Sequence, residues 1–138
     1  MHLEPSHETG RAFVTRGLEG PVTMLNLLRF REVADYSAHP ELAPDTPISG
    51  RAAYARYSAH TLPFLKAAGG EVLYSGAGGA PLIGPLDEPW DLVLIVRHCD
   101  VETFRGFAND PGYTAGLGHR AAALSDSRLV PLVERTVG

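Results

Sequence analysis

Cysteine is almost absent. Cys99 is the single thiol in 138 residues, so no intramolecular disulfide can form and the fold must stand on its core alone. It follows an apolar run, a setting that predicts a buried, inert thiol rather than a nucleophile. Long hydrophobic stretches are missing too. The longest, Leu92 to Val96, falls far short of a bilayer span, and no membrane partner is expected. His2, Glu4, His7 and Glu8 stand where a secretory leader would carry its apolar core, so the chain is read as cytoplasmic. There is no excess of positive charge: the net charge is −4 with both signs interspersed. A nucleic-acid partner needs a basic face, and none is written here. Nor is there a metal-ligand pattern. The six histidines are scattered, and the adjacent His98 and Cys99 point to opposite sides of a strand, so no metal is expected. Gly76–Gly79 lacks the strand-to-helix context of a phosphate loop, no nucleophile elbow is present, and no cofactor is called for.

What the chain does have is enough apolar material, 44% of residues, for one core of ordinary domain size. Residues 1–20 form a helical lead-in in which Ser6 caps a turn running to about Gly17, with Phe13 as its apolar contact. The domain proper spans 21–138. Val22 to Phe30 (VTMLNLLRF) predicts a strand apolar on both faces: Val22, Met24, Asn26, Leu28 and Phe30 on one, Thr23, Leu25, Leu27 and Arg29 on the other. Residues 31–48 are polar and proline-rich, with the length of a lid or of an arm that crosses to a partner. Ser49 caps a helix to about Ala68, ended by Gly69-Gly70, with Tyr54, Tyr57, Thr61, Phe64, Leu65 and Ala68 as its buried stripe and Pro63 bending it. Glu71 to Ser75 begins a second strand that the glycines interrupt before Pro81–Gly84 resumes it. Trp90 to His98 (WDLVLIVRH) is a third strand. Asp100 caps the next helix, Asp110-Pro111 restarts it, and Tyr113, Leu117, Arg120 and Leu124 share a face. Ser127 to Val133 is the last strand.

The order βαββαβ is that of an α+β, ferredoxin-like sandwich, a four-stranded antiparallel sheet with its helices on one face. The second face of the sheet stays apolar with no segment left to cover it. Such a face marks an interface, and a second copy of the chain laid sheet to sheet is the economical cover.

The runs MLNLLRF, SGRAAYARY, AAGGEVLYSG, WDLVLIVRH and FANDPGYTAGLGHRAAALSDSRLVPL resemble a bacterial family of unknown function in the dimeric α/β-barrel superfamily. The resemblance covers roughly residues 20–133. It implies a ferredoxin-like protomer and a homodimer closed by sheet packing. Other branches of that superfamily include cofactor-independent monooxygenases, muconolactone isomerases and haem-dependent chlorite dismutases, so the likeness bears on fold more than on activity.

Seven residues are candidates for a substrate site. Asn26 is an amide inside an apolar strand, either orienting a ligand or holding a loop backbone. Tyr57 and His60 are neighbours on one helix, a possible acid–base pair or a half-exposed edge of the core. Tyr113 and Arg120 lie on one helical face. An inward Arg120 needs an acceptor, Asp126 or a ligand anion, and the resemblance implies an arginine recurring at that point. His119 beside it faces solvent or an interface. Trp90 offers a flat wall for a planar ligand or an interface anchor. Arg29 can bind an acid or pair across a dimer. The functional expectation is a homodimer that binds a small organic acid or aromatic, with any catalysis cofactor-free, as in an isomerase or monooxygenase. The alternative is a non-catalytic dimeric binding or assembly module whose buried polar residues are structural.

Overall fold

VTMLNLLRF forms β1 (Val22–Phe30), the second strand from one edge of a four-stranded sheet, in a computed structural model that describes residues 1–137. The other strands are β2 (Glu71–Gly79), β3 (Trp90–His98) and β4 (Leu124–Leu132), in spatial order β2-β3-β1-β4 with every neighbouring pair antiparallel. Five helices accompany them: α1 (His7–Thr15), α2 (Gly50–Ala67), α3 (Val101–Ala108), α4 (Pro111–Thr114) and α5 (Leu117–Ala123). Because α2 and the α3–α5 group each connect strands that are not neighbours, both crossovers fall on the same side of the sheet. This is the expected ferredoxin-like arrangement.

The pleat divides β1 as its sequence alternation requires. Val22, Met24 and Leu28 are buried beneath the helices, whereas Leu25 and Leu27 stay half-exposed on the open side. Register places Leu25 between Ile95 and Val130, and Leu27 between Val93 and Arg128. The open side is thus a continuous apolar strip, with Tyr74 of β2 opposite Ile95. On the covered side, Leu28 packs with Tyr36, Ala53, Tyr54 and Ala122–Leu124 to form the core.

Local signals explain the helix ends. The side chains of Ser6, Ser49, Asp100 and Asp110 each accept a backbone N–H of the helix they precede, satisfying donors that would otherwise lack a partner. Gly69, with φ of 76°, turns the chain out of α2 in the left-handed region,. Helix α2 runs through Pro63 without ending.

Several expectations need correction. Strand β2 runs unbroken through its glycines to Gly79, and the irregular register lies earlier, between Val72 and Tyr74. Gly78 has a positive reason to be there: a Cβ would come within 2.3 Å of the Trp90 carbonyl oxygen, so the ladder needs a residue without a side chain. Residues Pro81–Gly84 lie outside the strand. Leu124 opens β4 directly at the end of α5, so the last strand starts before Ser127, and exposed Leu117 does not share the buried face of Tyr113. The 31–48 segment, expected as a lid or an arm, is tied to its own protomer. Ala34 N–H donates to the Ile48 carbonyl and Asp35 N–H to that of Ala122, Val33 bridges Ser49, and buried Tyr36 anchors the segment to its own protomer. Finally, Cys99 is exposed rather than buried, because it follows buried His98 and faces the other way,.

Candidate functional site

The helix spacing of three residues sets Tyr54 and Tyr57 on one side of α2, with ring centroids 5.2 Å apart,. The Asp110 cap and Pro111 start α4 so that Tyr113 arrives beside them, and its hydroxyl lies 2.6 Å from that of Tyr57. In such a pair one hydroxyl donates, and the accepting hydroxyl retains its own proton for another partner. The ring of Tyr54 is buried, yet its hydroxyl makes no hydrogen bond among the described residues. Burial raises the Tyr54 and Tyr113 pKa values well above the ordinary phenol range, and neighbouring Tyr57 adds to the rise. The positive charge of Arg120 opposes it in both. At neutral pH these tyrosines are therefore hydrogen-bond donors, held within the field of a guanidinium.

Arg120 points inward as expected, but its acceptors are neither Asp126 nor an open space. Its Nη1 donates to the Leu3 carbonyl and its Nη2 to Ser127 Oγ, 3.3 Å away. Asp126 is engaged elsewhere, with Arg128 at 2.7 Å and the His2 N–H at 2.8 Å. Burial of its carboxyl works against ionisation, but the His2 N–H, Arg128 and the Ser127 N–H outweigh it and hold the pKa at about 2. Asn26 lies on the covered face opposite Leu94, where Nδ2 donates at 3.3 and 3.4 Å to the Met24 and Leu94 carbonyls. His60 does not pair with Tyr57. Its Nε2 lies 2.8 Å from the Gly112 carbonyl oxygen and donates to it, which leaves Nδ1 as the accepting nitrogen of the neutral ring,.

Two of the seven candidates stand apart. Arg29 donates from Nε to the Pro89 carbonyl at 2.9 Å and lies over the Trp90 ring at 4.9 Å. Arg128 lies over the same ring at 5.3 Å. The aromatic wall offered by Trp90 is thus taken by two cations at the end of the sheet. The structure brings together Tyr57 and Tyr113, places Arg120 where its charge acts on Tyr54 and Tyr113, and uses His60 to hold α4 through the Gly112 carbonyl.

Residues 45–134 match the family model described as a domain of unknown function, DUF1330. The chain belongs to the DUF1330 family. The RPA0582 protein of unknown function from Rhodopseudomonas palustris is similar to it over almost its full length, at 36% identity and a TM-score of 0.87, covering 99% of this chain and 98% of that one. The methylated form of RPA0582 gives the same identity and a TM-score of 0.88, with 99% and 97% covered. A dimeric protein of unknown function from Bacteroides fragilis shares the ferredoxin-like fold at 13% identity and a TM-score of 0.52, covering 81% and 94%. No curated protein matches the chain.

In this DUF1330 protein the tyrosine cluster is part of a longer aromatic file. Phe30, Tyr54, Tyr57, Tyr113, Phe107, His98, Phe104 and Phe13 follow one another at centroid spacings of 4.4–6.2 Å. His98 is buried between Phe104 and Phe107 with its Nδ1 unpartnered, and burial lowers its pKa. His119 is not free at the surface: its Nδ1 is 2.7 Å from the Tyr36 hydroxyl. Burial, then Arg56 and His60, lowers its pKa, which favours the neutral ring. Two surface depressions of about 380 and 790 Å³ lie against α1 and α3, away from the tyrosines. No group of three or more potential metal ligands occurs among the described residues, and no helix there is long and apolar enough to cross a membrane. Sequence reasoning placed Tyr54 in the core and missed it as a site residue. Its position three before Tyr57 was the available signal.

Proposed function

We propose that this DUF1330 protein acts as a homodimer closed sheet to sheet, each protomer holding a small organic acid or enolisable aromatic where α2 and α4 meet the sheet. The observation that carries the binding reading is the pair of Tyr57 and Tyr113 hydroxyls 2.6 Å apart, with the buried ring of Tyr54 5.2 Å from that of Tyr57 and the charge of Arg120 acting on Tyr54 and Tyr113. Protonated donors beside a fixed cation suit a carboxylate or a developing enolate oxygen, which they stabilise without a metal or cofactor. The chemistry this favours is cofactor-free isomerisation or oxygenation of an activated substrate.

The dimer reading rests on area. The chain exposes 8927 Å². A compact monomer of its mass exposes about 7,000 Å², so the excess is about 1,900 Å². Obligate homodimers bury roughly 1,000–2,500 Å² per protomer, which the excess matches. Half-exposed Leu25, Leu27, Val93 and Ile95 on the open side contribute to it.

Thermal unfolding with a panel of small carboxylic acids and phenols tests the binding reading. A ligand that raises Tm in the parent chain and has no effect on the Tyr57→Phe, Tyr113→Phe double variant supports it. A panel with no member that moves Tm removes it. A second reading, a non-catalytic assembly module, is favoured by one observation: Arg120 ties the Leu3 carbonyl to Ser127 Oγ, and Asn26 holds the Met24 and Leu94 carbonyls, as fold-locking residues would.

A further inference from the structure

Residues 1–6 run without helix or strand up to the start of α1, and all of them are exposed except Leu3. Leu3 is half-buried and packs against the core cluster that holds Tyr36, Tyr54 and Leu124. Side chains of α5 and β4 grip the main chain of this strap. The His2 N–H donates to Asp126 Oδ1 at 2.8 Å, Ser127 Oγ donates to the His2 carbonyl at 2.6 Å, and Arg120 Nη1 donates to the Leu3 carbonyl. Arg120 Nη2 also donates to Ser127 Oγ, so the two groups that hold the consecutive carbonyls are joined to each other.

The charges in this grip do not balance. Arg120 is half-buried, and among the described residues it has no carboxylate partner: both of its acceptors are neutral. Asp126, next to Ser127 in sequence, is paired with Arg128 instead. A guanidinium holds a carboxylate more strongly than a peptide carbonyl, because charge on both partners strengthens the bond. The same guanidinium's charge acts on Tyr54 and Tyr113, which couples the strap to the tyrosine site. Detaching the strap does not require α1 to move. That helix has anchors of its own, Phe13 edge-on to Phe104 and, just past its end, Arg16 on the Pro131 carbonyl.

We infer that Arg120 and Ser127 are the carboxylate-binding groups of the site, and that residues 1–3 occupy them as an internal ligand which an organic acid must displace. The inference rests on the binding reading above and names the subsite and its regulation. In the exchange, the acid's two oxygens accept from Arg120 and Ser127 in place of the Leu3 and His2 carbonyls. Its apolar body takes the seat of the Leu3 side chain. The strap is tethered, so it competes at a high effective concentration. The acid's apparent affinity is lowered by the fraction of molecules in which the strap is seated.

The test compares the parent with Leu3→Gly, a full-length chain that keeps the main-chain bonds of the strap and loses its side chain. Benzoate, salicylate and hexanoate are titrated into nitrogen-labelled protein and followed by NMR. At least one of them is expected to bind the parent, with the amides of residues 2–4 and of Ser127 shifting together. The same acid should bind Leu3→Gly about tenfold more tightly, the share a half-buried leucine contributes to seating the strap. Equal affinity for the two chains, or binding that leaves residues 2–4 unmoved, overturns the inference and leaves the binding reading to the tyrosine variants. A Leu3→Gly chain that no longer folds by far-UV circular dichroism overturns it too, because the strap is then part of the core. If none of the three acids binds either chain the inference falls, and only silence across the whole panel of acids and phenols takes the binding reading with it.

Discussion

Ile95→Asp is the sharpest test of the sheet-to-sheet dimer. Ile95 sits on a central strand, flanked by Leu25 of β1 and Tyr74 of β2 on the open side. Its own protomer leaves it half-buried, so the substitution leaves the helix-side core intact. Removing the buried apolar side chain from an interface costs roughly 1.5–3 kcal/mol. A carboxylate desolvated without a partner adds several kcal/mol more, less whatever is recovered by protonation. Two-fold symmetry enters each change twice, so a modest 3 kcal/mol per protomer becomes about 6 kcal/mol for the dimer. At 1.4 kcal/mol per decade that weakens association by about 10,000-fold. Sedimentation equilibrium over a broad concentration range reads this directly, with far-UV circular dichroism to show that the protomer remains folded. A parent chain that is monomeric throughout, or an Ile95→Asp chain that associates as tightly as the parent, refutes the reasoning.

Other outcomes follow from the interior. Tyr113→Phe removes the 2.6 Å hydroxyl contact with Tyr57 and is expected to cost about 1 kcal/mol in urea unfolding, since the Tyr57 hydroxyl then loses its partner. Arg120→Ala leaves the Leu3 carbonyl and Ser127 Oγ without their donor. A loss of about 1–3 kcal/mol, with faster amide exchange near Ser127, is expected, and an unchanged midpoint contradicts it. Acid stability should fall in two stages. The His98 pKa is lowered by burial from 6.5, so the unfolded chain takes up a proton that the native ring refuses, and stability declines as pH drops below 6.5. His98→Leu should shrink that stage in a pH series of melting temperatures, leaving the part due to His119, whose pKa is lowered too. The second stage belongs to Asp126, whose pKa is depressed from 3.8 to about 2. Its contribution is complete above pH 3.8 and is lost as pH falls towards 2, a loss that Asp126→Asn should reduce, leaving the parts of Asp35 and Asp100,.

Much of the architecture was legible because local chemistry and tertiary packing agree. Ser49, Asp100 and Asp110 announce helix starts that the structure realises, and WDLVLIVRH is a strand from its first residue to its last. Where the two disagree, packing decides. The glycines of β2 look like an interruption, but β3 supplies the ladder that keeps them extended, and Gly78 is required by the nearness of Trp90. At Leu124 helical periodicity points inward equally well for a helix or a strand, so the α5–β4 junction was invisible to it. The site was half legible. Tyr57, Tyr113 and Arg120 could be found from face and spacing. The partners of Arg120 could not, since Leu3 lies 117 positions away, and no local pattern reports a carbonyl brought in from the other end of the chain.

The amino-terminal segment has a consequence for how these molecules behave when crowded. It is fastened to β4 near both ends of that strand, through His2 at Asp126 and Ser127 and through Arg16 at the Pro131 carbonyl. Strand β4 is therefore a guarded margin, whereas β2 offers its free backbone groups to any comparable strand. A sheet with two free margins can grow into a fibre, but a sheet with one can only join a single neighbour before it presents clasped margins on both sides. Cutting away the first sixteen residues should lift that ceiling and turn a self-limiting association into open-ended growth.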